Sequence, residues 1–112
     1  MNETVLFVAH QDDSHVVSGY QFALEKENYK FVDCMTPKEA LQKMGEVDIM
    51  ILFARPDYFN VFLNNYKREK MPPLIILAGM RYRVMPIPED AFIMDGATLP
   101  SELIKKVKEV LS

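Results

Sequence analysis

Short apolar segments alternate along this chain with segments of helical period, and this alternation restricts its fold more than any other feature. Five runs have the length and composition of strands in a parallel sheet: residues 4–9, 29–35, 48–54, 73–78 and 91–94. The run DIMILFA at 48–54 is the most apolar of them, so we expect it near the centre of the sheet.

Helical spacing of apolar side chains occupies the intervals between these runs. It predicts helices over residues 13–28, 36–47, 58–69 and 99–111. Thr36, Pro37 and Glu39 form a capping box that begins the second helix. The apolar stripe of the closing helix is expected to begin at Leu99, whereas Phe22 lies off the stripe of the first helix and is expected to be exposed.

Strands and helices that alternate over short connections form parallel sheets through right-handed crossovers. The predicted fold is therefore an α/β three-layer sandwich, flavodoxin-like, with a five-stranded parallel sheet of order 2-1-3-4-5. Residues 79–90 contain Pro86 and Pro88 and no helical period. The helix between strands 4 and 5 is therefore expected to be shortened or absent, which would leave one sheet face thinly covered.

Composition restricts the class of protein further. The 112 residues suit one domain, taken as 1–112, and the net charge of -3 argues against a sequence-independent nucleic-acid binder. A single cysteine, Cys34, is expected to be a buried residue of the second strand and suits a reducing compartment. No signal peptide and no long apolar run are visible, so a cytoplasmic location without membrane contact is expected.

Five segments, taken in their order, resemble the receiver domain of bacterial response regulators. They are VLFVAHQDD, NYKFVDCMTPKEAL, DIMILFARP, PPLIILAG and LPSELIKKVKEVL, which together span nearly the whole chain. In that family an aspartate at the end of the third strand accepts a phosphoryl group, and an acidic pair after the first strand binds magnesium. A Ser or Thr after the fourth strand senses the phosphate, and a lysine after the fifth contacts it.

The corresponding positions of this chain carry other residue types. Phe53 stands at the phosphoacceptor position, and phenylalanine has no nucleophilic oxygen. The hydroxyl position holds Ala78, and the lysine position after the fifth strand holds Asp95.

The acidic pair of the family can be placed in two registers. One register selects Ala9 and His10, the other selects Gln11 and Asp12, and neither supplies two carboxylates. The resemblance therefore implies a degenerate receiver, without enzymatic activity and without a cofactor.

The first segment also resembles the AHPDD-type motif of LmbE-like zinc deacetylases. That resemblance implies His10 and Asp13 as zinc ligands and Asp12 as the general base. The family's further histidine ligand has no counterpart here, because both histidines, His10 and His15, lie in the first segment. The chain is also about half the length of such an enzyme, so we rank this function last.

His10, Asp12, Asp13 and His15 form the densest set of potential ligands in the sequence. One hypothesis is a divalent metal site at the end of the first strand. The other, which describes the more usual role of such residues, is that Asp12, Asp13 or Ser14 caps the first helix.

Arg55, Arg81 and Arg83 each follow a predicted strand and are expected at the same rim of the sheet. Their guanidinium groups could hold an anion. The alternative, which is the commoner arrangement, is internal pairing with the acidic residues expected at that rim: Asp12, Asp13, Asp57 and Asp95.

These observations favour a receiver-like regulatory or adaptor module that acts through protein contacts, with another protein or a second copy as its partner. The expected interaction surface consists of Arg55, Met80, Arg81, Tyr82, Arg83 and Met85. The alternative function is binding of a small ligand, anion or metal at the strand ends by His10, Asp12, Arg55 and Arg81.

Overall fold

The computed structural model describes residues 3–53, 66, 71–79 and 91–112. Its elements follow in the order β1 (Thr4–Val8), α1 (Ser14–Lys26), β2 (Lys30–Cys34), α2 (Pro37–Lys43), β3 (Ile49–Phe53), β4 (Leu74–Ala78), β5 (Phe92–Asp95) and α3 (Pro100–Leu111). Single turns of 3-10 helix, Gln11–Asp13 and Met44–Glu46, precede α1 and follow α2.

The five strands form one parallel sheet of order β2-β1-β3-β4-β5, which confirms the predicted fold class. β3 lies in the middle of the sheet, as its apolar sequence predicted, and its first four residues are buried. Because every strand runs in the same direction, the carboxyl ends of all five meet at one edge.

Alternate residues of the central strands face two separate layers of the core. One set packs against α1 and α3, where the buried helix residues are Val17, Tyr20, Leu24, Leu103, Ile104 and Val107. The other set packs against α2 through Ala40 and against the turn after it through Met44. Helices therefore cover both faces of the sheet, as the three-layer prediction requires.

The start of α2 follows the predicted capping box in part. The hydroxyl oxygen of Thr36 accepts the backbone N–H of Glu39 at 3.2 Å, and Pro37 occupies the first turn. The Glu39 carboxylate does not complete the box, because it pairs with the ammonium group of Lys43 at 2.8 Å, one turn further along.

Two exposed side chains test the predicted helix stripes. Phe22 is 71% exposed, which confirms its place off the buried face of α1. Leu99 is 60% exposed, so the prediction that it begins the buried stripe of the closing helix is wrong. The reason is that Leu99 is the N-cap of α3 and has extended backbone angles, so its side chain lies outside the helical period.

The predicted helix at 58–69, apart from Tyr66, and the connection at 80–90 lie outside the described residues. The expected shortening of the helix between the fourth and fifth strands therefore stays a prediction. Among the described helices, none has the length and apolar character needed to cross a bilayer.

Candidate functional site

The register of the sheet determines which strand ends lie side by side. Phe53, the last residue of β3, is paired with Leu77, and Ala78 is paired with Asp95. Val8 is paired with Leu52 of β3. The positions that the receiver resemblance selects on β1, β3, β4 and β5 therefore meet at the carboxyl edge of the sheet.

The end of β1 is held by a backbone hydrogen bond. The N–H of Ala9 donates to the carbonyl of Cys34 at 3.0 Å, and Ala9 is almost fully buried. Ala9 and His10 thus continue directly from the strand, whereas Gln11 and Asp12 belong to the 3-10 turn that follows. Of the two registers considered for an acidic pair, the one containing Ala9 and His10 lies at the strand end.

His10 organises this turn through its imidazole ring. Its Nδ1 accepts the backbone N–H of Asp12 at 3.1 Å and lies 3.3 Å from a carboxylate oxygen of the same residue. The bond from the Asp12 N–H makes the His10 side chain the cap of this turn.

This arrangement corrects the predicted cap of the first helix. Asp13 occupies the N-cap position of α1, but it makes no side-chain capping hydrogen bond, and Ser14 is already the first residue of the helix. His10 instead caps the 3-10 turn Gln11–Asp13 that precedes α1. This 3-10 turn lies between β1 and α1, so the capping residue lies closer to β1 than the sequence predicted.

The described part of the chain contains no group of three His, Cys, Asp or Glu side chains that could hold a metal ion. His10 and Asp12 contact each other, whereas His15 lies exposed in the first turn of α1. This arrangement does not support the metal hypothesis or the zinc ligand set that the deacetylase resemblance implied for His10 and Asp13.

Phe53 lies at the end of β3, where the receiver resemblance places the phosphoacceptor. It is half-buried and packs with the core layer that faces α1 and α3. Its ring presents carbon atoms only, so it supplies neither a nucleophile nor a metal ligand at this edge.

The ends of β4 and β5 are joined by backbone contacts. The N–H of Gly96 donates to the carbonyl of Ala78 at 3.0 Å, and Ala78 is fully buried. A Cβ atom on Gly96 would lie 3.2 Å from the backbone nitrogen of Gly79. This close approach leaves little room for a side chain at residue 96.

Asp95 stabilises the turn that follows β5. It is the last residue of the strand, which corrects its predicted place after the strand. Its carboxylate accepts the N–H of Ala97 at 2.8 Å, and its carbonyl accepts both the N–H and the hydroxyl of Thr98. Asp95 thus forms an Asx turn at the position where a receiver carries its lysine.

A contact that sequence reasoning did not identify joins α1 to this turn. The hydroxyl of Tyr20 donates to the carbonyl of Thr98 at 2.5 Å, and both residues are buried. Burial raises the pKa of Tyr20. The signal was present in the sequence, because a tyrosine within an apolar helix stripe needs a partner for its hydroxyl, but its partner lies 78 residues away.

Cys34 is buried at the end of β2, as predicted. Its thiol donates to the carbonyl of Thr36 at 3.2 Å, and burial is the main cause that raises its pKa. A buried thiol with a raised pKa carries little thiolate at neutral pH, so Cys34 is a packing residue at this edge.

The arginine rim and the predicted interaction surface lie outside the described residues. They comprise Arg55, Met80, Arg81, Tyr82, Arg83 and Met85, together with Asp57 as a predicted acidic partner. Anion binding by these arginines stays a prediction, and a thermal-shift panel of nucleotides and phosphates would test it.

A comparison with protein-family models gives no match, and a comparison with curated protein sequences gives none either. Solved structures do match. A response regulator receiver domain protein of Methanospirillum hungatei superimposes with a TM-score of 0.78 and 22% identity, and the match covers 99% of this chain and 94% of that one. A chemotaxis response regulator of Vibrio cholerae gives a TM-score of 0.76 and 18% identity over 99% and 100% of the two chains.

The receiver domain of the hybrid histidine kinase CckA is similar as well, with a TM-score of 0.68 and 18% identity over 97% of this chain and 99% of that one. The chain therefore has the fold of response-regulator receiver domains along nearly its whole length. Because these identities are low, the likeness concerns the fold, and function must be argued from the residues at the strand ends.

Proposed function

We propose that this chain is a receiver-like regulatory module that is not phosphorylated and that acts in signal transduction through contacts with other proteins. The observation that carries the proposal is Phe53 at the carboxyl end of the central strand β3. In a sheet of this order, chemistry is performed at that edge, and Phe53 brings only a hydrocarbon ring to it.

The neighbouring strand ends support the same conclusion. Phosphoryl transfer to a side chain needs a nucleophilic oxygen and positive charge that neutralises the transferred group. Ala78 has no hydroxyl, and the carboxylate of Asp95 is used in its own turn and would repel a phosphate. None of these three strand-end positions can therefore play the part that the receiver resemblance implies for it.

Incubation with acetyl phosphate and magnesium tests the proposal directly. Intact-mass spectrometry is expected to show no phosphoryl adduct on this chain, because no acceptor stands at the end of β3. A receiver with its aspartate intact, treated in parallel, should gain one. Beryllofluoride is likewise expected to leave the two-dimensional NMR spectrum unchanged. A stoichiometric adduct that hydroxylamine removes would overturn the proposal.

Without phosphoryl transfer, such a module acts by binding other proteins. We propose that it does so in a cytoplasmic two-component signalling pathway. The proposed surface includes Arg81 and Tyr82 of the connection before β5. A pull-down from the native cytosol is expected to recover a partner with the wild-type chain and to lose it with the Arg81→Ala, Tyr82→Ala double variant. Equal recovery by both forms would place the contact elsewhere.

A further inference from the structure

Asp95 is followed directly by Gly96, and at no other place in the sequence does an aspartate or asparagine precede a glycine. An aspartyl side chain can cyclise onto the backbone nitrogen of the next residue, because the ring that forms is five-membered. A side chain on that next residue hinders the closure, and glycine has none. Asp95 and Gly96 are therefore the most reactive pair of this kind in the chain.

The packing of β4 against β5 requires the glycine of this pair. A Cβ atom on Gly96 would lie 3.2 Å from the backbone nitrogen of Gly79 and 3.4 Å from the backbone carbonyl carbon of Ala78. The fold thus excludes, at residue 96, the side chains that would slow the closure.

The end of β5 is exposed and lightly held. The strand has four residues, lies at one edge of the sheet and alternates between half-buried and exposed side chains, and Asp95 is one of the exposed ones. Its neighbour β4 is instead buried along its whole length. Segments with few buried contacts open locally at a lower free energy than the core, so β5 is expected to open more readily than β4.

Two hydrogen bonds oppose the closure while β5 stays paired. The N–H of Gly96 donates to the carbonyl of Ala78 at 3.0 Å, and the nitrogen must lose this proton before it can attack. The carboxylate of Asp95 accepts the N–H of Ala97 at 2.8 Å, which restricts the side-chain rotation that ring closure requires.

We propose that Asp95 and Gly96 form a site of spontaneous isoaspartate formation, which the fold suppresses while β5 stays paired with β4. The inference goes beyond the proposed function, because it depends neither on the receiver-like role nor on any protein partner.

The reaction needs no reactant other than water. The nitrogen of Gly96 bonds to the side-chain carbon of the protonated Asp95 carboxyl group, and the carboxyl hydroxyl leaves with the amide proton as water. Water then opens the cyclic imide at one of its two carbonyl groups. Cleavage of the new bond restores aspartate, whereas cleavage of the original peptide bond leaves the backbone running through the former side chain, which is isoaspartate. No atom is oxidised or reduced.

Isoaspartate at residue 95 would disrupt the junction between β5 and α3, because it lengthens the main chain by one methylene group. The carbonyl of Asp95 accepts the N–H and the hydroxyl of Thr98, and the carbonyl of Thr98 in turn accepts the hydroxyl of Tyr20. These bonds depend on the spacing of residues 95–98. The product also carries a free α-carboxylate, which is the group that isoaspartyl methyltransferases methylate with S-adenosylmethionine.

Ageing of the whole chain in warm neutral buffer tests the proposal. Isoaspartate is quantified by methyl transfer from radiolabelled S-adenosylmethionine with an isoaspartyl methyltransferase, and it is located by peptide mapping. The chain unfolded in guanidinium chloride is expected to form isoaspartate at residue 95 about tenfold or more faster than the native chain. Tyr20→Phe in native buffer should form it about fivefold faster than the wild type, because the turn after β5 loses the hydroxyl that holds Thr98.

Two variants serve as controls, and circular dichroism verifies that each is folded. Asp95→Ser keeps an oxygen that can accept the N–H of Ala97 but has no carboxyl carbon, so it should form no isoaspartate at this position. Tyr29→Phe, which changes a half-buried tyrosine away from this turn, should age like the wild type.

Four results would overturn the proposal. They are no isoaspartate at residue 95 even in guanidinium chloride, equal rates in the folded and unfolded chain, methyl incorporation that Asp95→Ser does not reduce, and equal acceleration by Tyr20→Phe and Tyr29→Phe.

Discussion

Replacing Tyr20 by phenylalanine removes a single oxygen atom from the junction between α1 and the turn after β5. The ring itself keeps its place, because it is buried and stacks on Phe7 at 5.6 Å between ring centroids. What is lost is the hydrogen bond to the carbonyl of Thr98, which is left buried without that donor.

The expected cost combines two contributions. A net hydrogen bond is worth about 1 kcal/mol, and leaving a buried carbonyl unpaired raises the total to about 1–2 kcal/mol. For a domain of this size, that lowers the melting temperature by roughly 4–8 °C. Urea unfolding followed by circular dichroism measures the free energy of unfolding. Tyr29→Phe is the matched control, since Tyr29 is half-buried and no hydrogen bond of its hydroxyl is found among the described residues.

The same substitution has a pH signature. The pKa of Tyr20 is raised in the folded protein, so the unfolded chain loses this proton first as the pH rises past about 10. The wild type should therefore lose stability above that pH, and its advantage over Tyr20→Phe should shrink there. Equal destabilisation by Tyr20→Phe and Tyr29→Phe, or an advantage that grows with pH, would refute the role given to the Tyr20 hydroxyl.

Three further experiments test local contacts of the fold. Gly96→Ala should lower the free energy of unfolding by about 1 kcal/mol or more, since the new methyl group would lie 3.2 Å from a backbone nitrogen. Gly19→Ala in α1 should instead raise it by about 0.5–1 kcal/mol. Thermal melts compare the two variants, and equal effects would contradict the close approach at residue 96. Thr36→Ala should cost about 1 kcal/mol in urea unfolding by removing the cap of α2, and an unchanged midpoint would contradict that cap. Cys34 should react with a thiol reagent far more slowly in the native protein than in urea, because it is buried and its pKa is raised; equal rates would show that it is accessible.

The order of strands and helices could be read from the sequence because it depends on local patterns. A continuous apolar run such as residues 48–54 is compatible with a central strand of a parallel sheet, and the observed β3 lies within it. The same kind of reasoning predicted that Cys34 is buried and that Phe22 is exposed. It failed at Leu99, because the helical period does not show where the helix begins.

The candidate site was predictable in composition but not in contacts. That Phe53 and Ala78 stand at strand ends follows from the pattern of apolar runs. The sequence predicted a cap at Asp12, Asp13 or Ser14, whereas the capping side chain is that of His10. The spacing of residues did not reveal the additional 3-10 turn between β1 and α1.

By itself, the sequence determined the kind of fold and the residue types at its functional edge, because periodicity and residue chemistry are local properties. Only the tertiary structure decided which distant groups meet. The bond from Tyr20 to Thr98 spans 78 residues, and Gly96 approaches Gly79 closely because β4 and β5 lie side by side in the sheet. Such contacts depend on strand register and helix packing, which no local pattern encodes.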